Sequence, residues 1–115
     1  MKELDVIGAL AALAQESRLE IYRLLVTRGP EGYTPGEISE HLGIPGPTLS
    51  FHLKELAQAE LVTVRRKSRF MHYSASFERM NALVSYLTEN CCSLGTACDV
   101  ACAPAATARR RRKSA

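Results

Sequence analysis

Apolar residues recur every three to four positions along most of the first ninety residues, and the period changes to strict alternation once. LDVIGALAAL places Leu4, Ile7, Leu10 and Ala14 at helical spacing, and SRLEIYRLLVTR repeats it with Leu19, Tyr22, Leu25 and Val26 behind a Ser17 cap. These two segments predict two helices. RGPEGY is a Pro/Gly turn, after which Thr34 caps a short third helix with Pro35 at its first position, Ile38 and Leu42 along it, and Gly43 as its stop. In IPGPTLSFHLKELAQAE, Pro47 suits a first turn and Leu49, Leu53 and Leu56 share one face, with Phe51, Lys54 and Glu55 opposite. A phenylalanine turned away from the apolar stripe marks a contact surface.

The alternation follows: Val62 and Val64 against Thr63 and Arg65, then RKSR, then FMHYS, which together predict a β-hairpin with a basic tip. SFERMNALVSYLTEN returns to helix, with Ser76 as cap and Phe77, Met80, Leu83, Val84 and Leu87 on a stripe that continues by one turn to Cys91. Gly95 interrupts it. Thr96 and Asp99 then resemble a capping box for a brief helix ended by Pro104, and the last ten residues are expected to be disordered. Helix, short helix, Gly-containing turn, longer helix and basic hairpin, in that order, make a mainly α winged helix-turn-helix. The expected organisation is a DNA-binding and dimerisation domain over 1–90, a cysteine-rich inducer-binding segment over 91–104 and a basic tail over 105–115.

A chain of 115 residues supports one domain with a modest core, to which a partner subunit would add. No run reaches the roughly 18 apolar residues of a membrane span, and MKELDVIG lacks the features of a secretory signal, so the expected location is cytoplasmic. The formal charge of +3 misleads: Arg109 to Arg112 and Lys113 supply five positives, and residues 1–108 without them stand at −2. Any nucleic-acid binding must then come from local basic patches.

Those patches fall where a winged helix-turn-helix reads duplex DNA. The second helix of the pair enters the major groove, which makes Thr48, Ser50, Phe51, His52 and Lys54 the candidate base and phosphate contacts, with Phe51 suited to thymine methyl groups. Arg65, Arg66, Lys67 and Arg69 on the wing are candidate phosphate contacts. The bland alternatives are a His52 packed against a neighbour, a solvated Ser50 and a solvated basic turn.

These segments resemble the ArsR/SmtB metalloregulatory repressors of bacteria and archaea. The resemblance runs through LAALAQESRLEIYRLLV, EISEHLGIPGPTLSFHLKELAQAELV and VRRKSRFMHYS, roughly residues 10–90, with Ser50 to Lys54 the most characteristic part. It implies a homodimer built on the first and last helices, sitting on palindromic operator DNA and leaving it when a metal or metalloid binds. Leu83, Val84 and Leu87 are expected at the dimer seam. Two departures stand out: Lys67-Ser68 where many members have glycine in the wing turn, and Pro45 in place of a polar cap.

All four cysteines, Cys91, Cys92, Cys98 and Cys102, lie within residues 91–102. In a reducing compartment such a cluster serves metal or redox chemistry before structural disulfides. The Cys-Val-Cys type motif of the best-known arsenic-sensing members is absent from TPGEISEHLG. The chain instead looks like a smaller arsenite-responsive subgroup, which implies Cys91, Cys92 and Cys98 as ligands of As(III) or Sb(III). Soft trivalent centres prefer three thiolates in a pyramid, so three sulfurs suffice. Chelation by adjacent cysteines requires the helix end to fray or turn, and Cys102 is a spare or alternative ligand. Zinc or cadmium would take all four sulfurs as a tetrahedron, although C-C-x5-C-x3-C fits the usual paired spacing poorly. Inert thiols and a redox switch are the remaining alternatives. A thiol-dependent enzyme is disfavoured, because no phosphate-cradling loop follows a strand and the cysteines lack a partner histidine.

Overall fold

A computed structural model describes residues 1–95, which form five helices and one antiparallel hairpin: α1 (Glu3–Leu13), α2 (Glu16–Arg28), α3 (Pro35–Leu42), α4 (Gly46–Gln58), β1 (Val62–Lys67), β2 (Phe70–Ala75) and α5 (Phe77–Thr88). This is the winged helix-turn-helix expected from the pattern, with α3 and α4 as the paired helices and β1–β2 as the wing. Ile21, Leu25, Ile38, Leu49, Leu53, Leu56 and Leu61 are its largest fully enclosed side chains. They come from α2, α3, α4 and the turn before β1, so the core lies directly behind α4 and holds it by its apolar stripe.

The start of α3 follows its sequence closely. Thr34 and Glu37 close a capping box, Pro35 occupies the first turn and Gly43 ends the helix in the left-handed conformation at φ 67°. The backbone N–H of Thr34 donates to Glu37 Oε1 at 2.9 Å, and this holds the Glu37 carboxyl below the usual carboxylate range. The Ser39 hydroxyl donates to the Ile44 carbonyl and pins the turn that leads into α4.

Three expectations change. On α1 the enclosed residues are Val6, Ala9 and Ala12, whereas Leu4, Ile7 and Leu10 are 81 %, 55 % and 41 % exposed. The helix is apolar nearly all round, so periodicity could not choose a face; the small Ala9 and Ala12 allow the closer approach and win the inside. On α2 the cap is Gln15, whose side chain accepts from the Arg18 N–H, and Ile21, Tyr22 and Leu25 are buried while Leu19 and Val26 stay exposed. Leu83 is buried in the chain's own core, which removes it from the expected dimer seam and leaves Leu87 exposed.

The wing is anchored at its base. Tyr33 and Tyr73 exchange both backbone hydrogen bonds at 2.9 Å, so the α2–α3 connection runs along β2 as a one-residue bridge. Gly32 makes that approach possible: its φ is +71°, and a Cβ there would meet the Tyr73 carbonyl, lying 2.9 Å from its carbon and closer still to its oxygen. Gly32→Ala is expected to cost about 2–4 kcal/mol, read as a lower midpoint of denaturant unfolding.

Candidate nucleic-acid interface

Because Leu49, Leu53 and Leu56 bury one side of α4, the other side projects Thr48, Ser50, Phe51 and Lys54, all exposed, with Phe51 at 56 %. Two hydroxyls, an ammonium and a phenyl ring on one helical face match what a major groove offers: base-edge acceptors, phosphates and thymine methyls. Pro45 caps α4 without a side-chain hydrogen bond, so its first-turn N–H groups have no side-chain cap.

His52 is a correction. It was expected among the outward side chains, but it is buried at 7 % exposure and is the one buried polar residue among those described. Its Nδ1 lies 3.3 Å from Arg18 Nη1, and the Arg18 Nε donates to the Ala12 carbonyl at 2.7 Å. An arginine only donates, so Nδ1 is the acceptor and the ring proton sits on Nε2. The His52 ring also meets the Phe51 ring edge-on, with centroids 5.6 Å apart. Sequence reasoning missed Arg18, because its partner 34 residues away is set by packing and leaves no local signal.

The wing divides its charge. Successive side chains alternate faces, so the register Lys67↔Phe70, Arg65↔His72 and Thr63↔Ser74 puts Arg65, Lys67, His72 and Phe70 on one face. Arg66 pairs with Met71 on the other, and Arg69 sits in the two-residue turn after Ser68. Ser68 holds φ at 59°, the left-handed region that glycine takes at less cost. One face of the wing thus carries two cations and an exposed phenyl ring, with Arg69 at its tip.

The cysteine pair lies beyond α5, which stops at Thr88 rather than running to Cys91. Asn90 and Cys92 adopt left-handed backbone at φ 60° and 63°, and three short turns follow one another through Cys91 N–H to Thr88 O, Ser93 N–H to Asn90 O and Gly95 N–H to Cys92 O. This geometry brings the Cys91 and Cys92 sulfurs within 3.4 Å on the exposed surface. Adjacent residues on a regular helix diverge by about 100°; the turn is what makes the two thiols a pair. Among the described residues no group of three or more His, Cys, Asp or Glu side chains is placed to hold a metal ion. Cys98, Cys102, the Thr96–Asp99 capping box and the basic tail lie outside the described residues. No helix among the described residues is long and apolar enough to cross a membrane.

A family described as a helix-turn-helix domain matches residues 13–65, spanning the end of α1 to the fourth residue of β1. The chain is 40 % identical over 63 residues to the transcriptional repressor SdpR of Bacillus subtilis, covering 55 % of this chain and 67 % of that protein. It is 36 % identical over 81 residues to the arsenical resistance operon repressor of the same organism, covering 70 % of this chain and 73 % of the relative. The fold is similar to an ArsR-like transcriptional regulator from Rhodococcus sp. RHA1, with a TM-score of 0.67 at 24 % identity over 73 % of this chain and 76 % of that one.

Proposed function

The chain belongs to the ArsR family of DNA-binding transcriptional regulators, and on that premise we propose that it represses by holding operator DNA as a homodimer and releases it when As(III) or Sb(III) binds its C-terminal thiols. The observation that carries the inducer is the exposed Cys91–Cys92 pair, 3.4 Å between sulfurs, placed by a turn directly after α5. Each thiol gives its proton to a hydroxide leaving arsenous acid, so three As–S bonds form as three waters depart. Cys91 and Cys92 supply two of them, and Cys98 is the third ligand of the proposal; Cys102 remains a spare.

The homodimer rests on α1 and α5, which pack together and both carry exposed aliphatic side chains, Leu4, Ile7 and Leu10 on one and Leu87 on the other. Two copies joined there present two α4 helices, with Thr48, Ser50, Phe51 and Lys54 toward base edges and Arg65, Arg66, Lys67 and Arg69 toward phosphates. Their spacing must match successive major grooves roughly 34–36 Å apart. Drawing Cys91 and Cys92 toward a third sulfur reorganises the turn at the end of α5 and shifts the seam. A typical coupling of about 1–3 kcal/mol per site weakens operator binding some 5- to 150-fold.

The test is operator release, followed by fluorescence anisotropy, titrated with arsenite, antimonite, cadmium and zinc. Release by the first two at micromolar concentrations with no response to zinc or cadmium is expected. Release by zinc or cadmium alone replaces this reading with a four-sulfur ion site, and indifference to all four makes the protein a constitutive or redox-responsive regulator.

A further inference from the structure

Arg18 sits in the first turn of α2, where its positive charge opposes the helix dipole of its own helix. Something else must favour it there. Its Nε satisfies the Ala12 carbonyl, one of the acceptors in the last turn of α1, a helix with no basic residue of its own there. Its Nη1 donates to Nδ1 of the buried His52 in the middle of α4. The imidazole in turn stands edge-on against the exposed ring of Phe51.

We propose that Arg18 is a positioning residue for base reading: through His52 it orients Phe51 against thymine 5-methyl groups, and through Ala12 it ties that orientation to the seat of α1. This rests on α4 being the base-contacting helix, and it adds an element that neither composition nor helical period reveals. A phenyl ring half in solvent has freedom about its first side-chain torsion that an apolar contact must remove, and a fixed edge-on neighbour removes part of it before DNA arrives. The imidazole can be that neighbour only while its own plane is fixed, and a buried Nδ1 without a donor would be a costly alternative. Arg18 supplies the donor. Because the same guanidinium holds the last turn of α1, a displacement of α1 at the dimer seam reaches Phe51 through two hydrogen bonds and one ring contact.

The experiment uses a duplex selected on the wild-type protein from a random-sequence library, then remade with deoxyuridine in place of each thymine. Deoxyuridine lacks the methyl group, and loss of one such contact is expected to weaken wild-type binding about fourfold. Arg18→Lys, whose single nitrogen cannot stand at both the Nε and the Nη1 positions, and His52→Leu, which suits the buried site but offers no acceptor, should bind thymine and deoxyuridine duplexes equally. Their affinity for an unrelated duplex, driven by phosphate contacts, should stay within about twofold of wild type. His52→Asn keeps an acceptor near the Nδ1 position but offers no ring to Phe51, and should lose the discrimination as His52→Leu does. Full discrimination by Arg18→Lys and His52→Leu overturns the role of Arg18 while leaving α4 as the reader. Full discrimination by His52→Asn makes the ring contact dispensable and overturns the route through the imidazole. A wild-type protein indifferent to every substitution removes the Phe51 contact, and Arg18's role with it.

Discussion

Cys91→Ser and Cys92→Ser should each abolish arsenite-driven release while leaving operator affinity in the absence of arsenite within about twofold of wild type. A hydroxyl is a hard, weakly acidic ligand that does not replace a thiolate at a soft trivalent centre, so one substitution takes the proposed three-sulfur pyramid to two. Both side chains are exposed and lie beyond the last residue of α5. The whole 5- to 150-fold release factor should therefore vanish with repression intact. Cys98→Ser should behave alike, and Cys102→Ser should change little. By linkage, wild-type protein on operator DNA should bind arsenite more weakly by the same factor that arsenite weakens DNA binding. Equal arsenite affinity for free and DNA-bound protein would remove the allosteric mechanism even if the metalloid binds.

A charge on the outer face of α1 is expected to have the largest effect on DNA binding itself. Ile7→Glu and Leu10→Glu place a carboxylate on side chains that are 55 % and 41 % exposed in the single chain, so the protomer tolerates them. In the proposed dimer the same positions lie at the seam, where two symmetry-related carboxylates would be buried near one another without partners. Sedimentation velocity should show a monomer. Operator affinity should fall about 10²- to 10⁴-fold, because the second half-site then no longer benefits from being tethered to the first. Cooperative thermal unfolding should persist. A variant that stays dimeric, or a wild-type protein that sediments as a monomer, would move the subunit contact away from α1.

Much of this was legible in residue order. Thr34, Pro35, Glu37 and Gly43 delimit α3 because capping and left-handed termination depend on residues within one turn. Leu49, Leu53 and Leu56 mark the inner side of α4 for the same local reason, and the change from helical to alternating period at Val62 located the wing. The exposed side of α4 was legible except for one member: His52 lies next to both Phe51 and Leu53, at the border between the outer and inner faces. A polar residue at such a border goes inward only if a partner waits there, and Arg18 belongs to another helix.

What residue order determined by itself was therefore the order of the described elements, the outward side of α4 with its exposed phenylalanine, the basic wing and the concentration of thiols within residues 91–102, all of them consequences of interactions reaching no further than a turn or a strand pair. The tertiary structure decided which side of the apolar α1 faces inward, that Leu83 belongs to the core, that His52 pairs with Arg18 and that α5 ends before the cysteines so that Cys91 and Cys92 meet. These outcomes depend on the sizes and donors that distant segments bring to the same place, and packing alone, acting across 34 residues in the case of Arg18 and His52, selects among them.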